Sequence, residues 1–188
     1  MQSRHGWRTR ANALTAVRFA AAPALVIALR CDAALAAGAL FALAVASDVA
    51  DGRVARRFRE QSGFGRLLDH AADAVFVTAG TATLAHAGLL PALLPTLIAA
   101  AFLQYALDAK CSRAAGPRGS RLGRWNGIAY YAIVAIPIAR AALAIDWPDP
   151  SLIMALGWLL VGSTLLSMLD RLLGSRLRGL RIAGRWYQ

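Results

Sequence analysis

The sequence is short of charge, and shorter still of negative charge. Of 188 residues, 16% are charged and only 10 are acidic, while 58% are hydrophobic. That balance is too apolar for an ordinary soluble domain of this length. Only two cysteines are present, Cys31 and Cys111. They fall at the ends of different apolar segments, on opposite membrane faces in the topology proposed below, so no disulfide is expected. No internal repeat is apparent. No small-residue cleavage site follows the basic start, Met1 to Arg10, and the apolar run after it is long enough to span a membrane. It therefore reads as a retained helix and not as a signal peptide. The length suits one domain over residues 1–188.

Positive charge is what the chain has in excess. Its 21 Lys and Arg residues give a formal net charge of +11. Such a balance points to nucleic acid or to an anionic membrane surface. Here the basic residues occupy short segments between apolar stretches, which selects the membrane and argues against nucleic acid. The apolar stretches predict an all-α integral membrane bundle of about six helices: residues 11–29, 32–51, 65–86, 89–110, 125–145 and 151–173. The N-terminus, Arg53 to Arg66, Arg113 to Arg124 and the tail 174–188 are basic. Between them Arg30 is offset by Asp32, His86 to Leu90 carries no permanent charge, and Asp146 to Pro150 is acidic. This alternation predicts both termini on the cytoplasmic side. Trp125 and Trp147 fall at span ends, where interfacial indoles belong. In the tail, Arg176, Arg178, Arg181 and Arg185 interleave with Leu177, Leu180, Ile182 and Trp186, as in a membrane-surface helix. Pro23 is expected to kink or open the first helix.

The scarce carboxylates are concentrated. Asp48 and Asp51 stand three apart and Asp69 and Asp73 four apart, so each pair shares a helix face. Carboxylates flanked by membrane-spanning sequence are costly unless paired, hydrated or bound to cations. If the two helices pack as a hairpin, all four face one small volume. Oxygen-only ligands suit Mg²⁺, Mn²⁺ or Ca²⁺. Gly52 and Gly65 let a bulky ligand approach the backbone. The plainer alternative is ion pairing to Arg53, Arg56 or Arg57, which does not call for this spacing or these glycines.

The full pattern is D-x2-D-G-x2-A-R-x8-G-x3-D-x3-D, met at Asp48, Asp51, Gly52, Ala55, Arg56, Gly65, Asp69 and Asp73. It resembles the defining motif of the CDP-alcohol phosphatidyltransferase family. The resemblance implies an integral membrane enzyme that passes a phosphatidyl group from CDP-diacylglycerol to a polar alcohol and releases CMP. It also implies two Mg²⁺ or Mn²⁺ ions held by Asp48, Asp51, Asp69 and Asp73, with Asp73 a further ligand or the general base. Gly52, Ala55 and Gly65 would admit the nucleotide, and Arg56 would support phosphates or carboxylates. Asn12, Thr15 and Arg18 recur every third residue and resemble the family's first-helix stripe near the nucleotide; Arg18 alone reads equally as a snorkelling side chain. Arg113, Arg118, Arg121 and Arg124 are candidates for a phosphate on the acceptor, or simply a topology signal. His70 points off the carboxylate face and reads as a packing residue, and Arg140 as snorkelling outward. The resemblance further implies a homodimer, in a bacterial-type inner membrane with a cytoplasmic active site. Glycerol-phosphate transferases commonly have D-P-x-x-D-K where this chain has Asp69-His70-Ala71-Ala72-Asp73-Ala74. The D-H-x-x-D pattern is similar to choline/ethanolamine phosphotransferases, which are much longer chains, so glycerol 3-phosphate is the acceptor expected. Prenyltransferases and cation-site transporters are the competing classes. Against them stand the glycine spacing and carboxylates at one membrane edge instead of the midplane.

Overall fold

The computed structural model describes residues 10–58, 63–111 and 121–183. These residues form six helices and no strand: α1 Arg10–Arg30, α2 Ala34–Phe58, α3 Gly63–His86, α4 Leu93–Cys111, α5 Arg121–Ala142 and α6 Pro150–Ala183. The short connections and apolar helix faces leave an antiparallel bundle as the way to bury side chains.

Three turns lie at one end of the bundle, and they close alike. Asp32 (φ 52°), Gly88 (φ 75°) and Ala144 (φ 51°) each take the left-handed conformation just after a helix. Next to each, a backbone N–H reaches back to a carbonyl of the last turn: Ala33 to Ala28 at 2.9 Å, Leu89 to Leu84 at 3.0 Å, and Ile145 to Arg140 at 3.1 Å. This is the six-to-one bond of a Schellman cap, which satisfies carbonyls that a helix end leaves open. It also accounts for two boundaries that differ from expectation. Leu89 to Pro91 closes the α3 turn, so α4 starts at Leu93 and not at Leu89. Ala144 turns the chain, so α5 ends at Ala142 and not at Ile145. Helix α6 continues ten residues past the predicted end at Leu173, to Ala183. Helix α1 is continuous through Pro23.

The core is built of Leu25, Phe76, Leu90, Leu94, Val134 and Ile153. Where α6 crosses the α3–α4 turn, a Cβ on Gly157 would lie 2.5 Å from Pro91 Cδ, so only glycine fits. Helix order in space departs from order in the chain. Among the described residues α2 and α3 meet through side chains, as where Phe41 and Phe76 lie 6.0 Å apart, while α1 and α5 each pack their backbones closely against both. The carboxylates of α2 and α3 face one small volume as expected, and α1 packs closely against both helices and adds Arg18 to it.

Among the described residues one helix, over Pro150–Leu173, is clearly long and apolar enough to cross a membrane. Its outer face exposes Trp158, Leu159, Leu166 and Leu173 while Thr164 and Ser167 are buried. That is the reverse of a water-facing helix.

Candidate active site

The end of the bundle opposite the three turns collects the polar groups. Helix α1 contributes Thr15 and Arg18, three apart on one buried face. Arg18 is fully buried, at 0% exposure. Its guanidinium donates from Nη1 to Asp48 Oδ1 on α2 at 3.0 Å. It also donates from Nη1 to Asp73 Oδ1 and from Nη2 to Asp69 Oδ1, both on α3. A planar fork is the side chain that can serve several carboxylates at once.

Asp73 has a second donor, the Tyr131 hydroxyl on α5 at 2.6 Å. Beneath it Phe76 stacks on Tyr131 with centroids 6.1 Å apart, and Phe41 meets the same ring edge-on at 6.0 Å. This aromatic floor fixes the phenol, which in turn orients the carboxylate. Asp48, Asp69 and Asp73 are only partly exposed, at 45%, 34% and 26% of the side chain.

Asp48, Asp73 and Tyr131 also line a cavity of about 480 Å³ between α2, α3, α4, α5 and α6. Its far wall is polar. Arg171 of α6 lies 5.5 Å over the Tyr105 ring, and His70 meets that ring edge-on at 5.1 Å. Gln104 ties α4 to α6 through the Met168 carbonyl at 3.1 Å. Tyr130 and Thr164 share a 2.8 Å hydrogen bond, and Ser163 donates to Asn126 Oδ1 at 2.6 Å, joining α5 to α6.

The carboxylates suit a divalent cation by composition and spacing. Asp48, Asp69 and Asp73 each offer an oxygen, and these oxygens lie within 4.8 Å of one another. In an octahedral Mg²⁺ shell with ~2.1 Å bonds, neighbouring oxygens are about 3 Å apart and opposite ones about 4 Å. Small side-chain movements bring three hard oxygen donors into that range, and they come from two helices, so one ion would tie both.

The structure thus gathers three of the four predicted ligands. Asp51, Gly52, Ala55 and Arg56 follow on the last turns of α2 and Asn12 is the third residue of α1, where their side chains lie outside the described part. Gly65 is half-buried in the first turn of α3. Of the basic candidates, Arg124 is exposed and lines the cavity. Arg121 opens α5 with its side chain outside the described part, and Arg113 and Arg118 lie outside the described residues, as does the end of the tail with Arg185. His70 is not a packing residue alone, since it lines the cavity. Arg140 bonds the Asp146 carbonyl at 3.4 Å in the α5–α6 turn. Arg171 and Tyr131 were not singled out by sequence. The readable signal was the run of polar residues inside otherwise apolar helices: Asn126, Tyr130 and Tyr131 on α5, Ser163, Thr164, Ser167 and Arg171 on α6.

A family model described as CDP-alcohol phosphatidyltransferase matches residues 8–169. That is most of the chain, and it includes every aspartate of the site. No curated protein matches the chain.

Proposed function

The chain belongs to the CDP-alcohol phosphatidyltransferase family, and from that premise we propose that it transfers a phosphatidyl group from CDP-diacylglycerol to a small polar alcohol, releasing CMP. The observation that carries the reading is the convergence of Asp48, Asp69 and Asp73 oxygens beside a cavity that Asp48 and Asp73 line.

Asp48, Asp51, Asp69 and Asp73 would hold Mg²⁺ or Mn²⁺, two ions in all. When bound, the cations neutralise charge on the pyrophosphate and on the departing CMP. Asp73 also takes the proton of the attacking hydroxyl. It is the most enclosed of the three described carboxylates, and Tyr131 holds it in place. Gly52, Ala55 and Gly65 leave room for the cytidine, with Asn12, Thr15 and Arg56 around it. The acceptor enters from the polar wall. There Arg124 and Arg171 suit a phosphate, together with Arg113, Arg118 and Arg121 from the adjoining basic segment. That chemistry favours glycerol 3-phosphate. A second reading rests on His70, which lines the cavity at the position where glycerol-phosphate transferases carry proline. It makes the substrates a CDP-linked head group and diacylglycerol.

The same reading places residues 1–188 as one domain of about six spans in a bacterial-type inner membrane, with both termini and the active site cytoplasmic, as a homodimer. The lipid-like outer face of α6 supports it, with Leu159 70% and Leu166 62% exposed. The test supplies the full chain in detergent with Mg²⁺, CDP-diacylglycerol and a panel of labelled alcohols. Expected is a glycerol-phosphate lipid with equimolar CMP. Product formed only from CDP-choline and diacylglycerol selects the second reading, and no CMP from any pair sinks both.

A further inference from the structure

Arg18 is the least expected residue in the molecule. A guanidinium with no exposed surface, on an apolar helix, is retained only where its charge is matched. Here it is matched by three carboxylates from two other helices. All three present Oδ1 to it. Oxygens of these same carboxylates form the cation-sized cluster. Each carboxylate keeps a second oxygen, so the conflict is one of charge: a guanidinium and a divalent ion drawing on the same three carboxylates repel each other and compete for them. Among the described groups three carboxylates face one guanidinium, so negative charge is in excess there and the arrangement remains attractive to a divalent ion.

We infer that Arg18 is a built-in competitor of the divalent cation: it occupies the carboxylate cluster when metal is absent, ties α1, α2 and α3 together in that state, and is displaced on loading. The inference rests on the metal reading above. Linkage then fixes its signature. A group that stabilises the metal-free state through the ligands themselves must weaken metal binding by the same factor. Arg18 is in this sense a positioning residue with two opposite effects. It raises metal-free stability and lowers cation affinity. A scaffold that merely aimed the carboxylates would raise both.

The experiment compares the full-length parent with Arg18→Gln, Arg18→Lys and Asp48→Asn. Each is purified with Mg²⁺, stripped with chelator, and followed by thermal melting and by calorimetric titration with Mg²⁺ alone. Arg18→Gln is expected to melt lower than the parent in chelator, or to unfold there, and to recover with Mg²⁺. Its Mg²⁺ affinity rises about tenfold to a hundredfold, the range spanned by one or two charge-assisted hydrogen bonds. Arg18→Lys keeps the charge but loses the fork, so both values fall between. Should Arg18→Gln fold under neither condition, Arg18→Lys decides: tighter Mg²⁺ binding than the parent supports the inference, and equal or weaker binding overturns it. Mg²⁺ binding that Asp48→Asn leaves unchanged defeats the metal reading and this inference together. Binding that depends on Asp48 but is unchanged or weakened in Arg18→Gln defeats this inference alone.

Discussion

At one end of the bundle the chain turns three times, and each turn is closed by a left-handed residue and a bond across five residues. At the other end Arg18 reaches carboxylates 30, 51 and 55 residues away, and Tyr131 reaches Asp73 across 58. The turn end is local and apolar. Its specificity comes from backbone conformation and close packing, as at Gly157 against Pro91. The site end is non-local and charged, and its members belong to four helices. Groups so costly to bury are tolerated at functional sites, and here they gather at one end while the other supplies the stability. If that division is right, substitutions at the two ends must separate activity from folding.

The largest effects belong to the aspartates. Asp48→Asn is expected to reduce CMP release to background and to abolish Mg²⁺-dependent binding of a CDP-lipid. Asp73→Asn keeps shape but accepts no proton, so turnover should fall about 10²–10⁴-fold while binding persists. Equal loss of binding in both would make Asp73 a ligand first. Gly157→Ala tests the opposite end. Forcing a methyl against the Pro91 ring is an overpacking change of about 1–3 kcal/mol. The melting temperature should drop with turnover per folded molecule intact, and a selective loss of turnover would break the division. Tyr131→Phe spans the two regimes, because it keeps the ring stack and removes only the hydroxyl. Turnover should fall about two- to twelvefold, matching one hydrogen bond of ~0.5–1.5 kcal/mol, with little change in melting.

The smallest effect lies in the α5–α6 turn. Asp149 caps α6 by accepting from the Leu152 N–H at 3.1 Å, with Pro150 as the first helical residue. The Ser151 hydroxyl, followed by that backbone bond, holds its carboxyl below the ordinary value. A depressed folded-state value means the contribution is present at neutral pH and lost as pH falls through the carboxylate range. Melting curves of the parent and Asp149→Ala should differ slightly at neutral pH and converge in acid. A gap that persists in acid would assign the cap to something other than its charge.

How far the sequence anticipated each end follows the same line. Six helices were legible, because apolar runs and turn residues are local signals. The turn chemistry was only half legible, since Gly88 announces a left-handed position and Asp32 and Ala144 do not. The aspartate cluster was visible through its spacing, but the share that α1 takes in it through Arg18 was not. Arg18 belonged to a recognisable stripe with Thr15, yet a single Arg near a helix start reads equally as snorkelling. Only the tertiary partners distinguish the two, and they are remote in sequence. Arg171 was lost among many arginines for the same reason.

The length of α6 has a consequence for where the two substrates meet. Its 34 residues amount to about 51 Å at ~1.5 Å per residue. A hydrocarbon layer is about 30 Å thick, and a tilt of about 40° shortens the span only to roughly 39 Å. In the membrane placement proposed above, α6 must therefore emerge from the lipid. With the turn end at one hydrocarbon edge, Arg171 stands about 32 Å up the helix from Pro150, level with the other edge. Asp73, about 20 Å up α3 from His86, lies some 10 Å deeper. The cavity between them is then a vertical passage across the water–lipid boundary. On the acceptor reading proposed above, a soluble anion would be received at its top and its hydroxyl delivered down to the lipid-linked phosphorus.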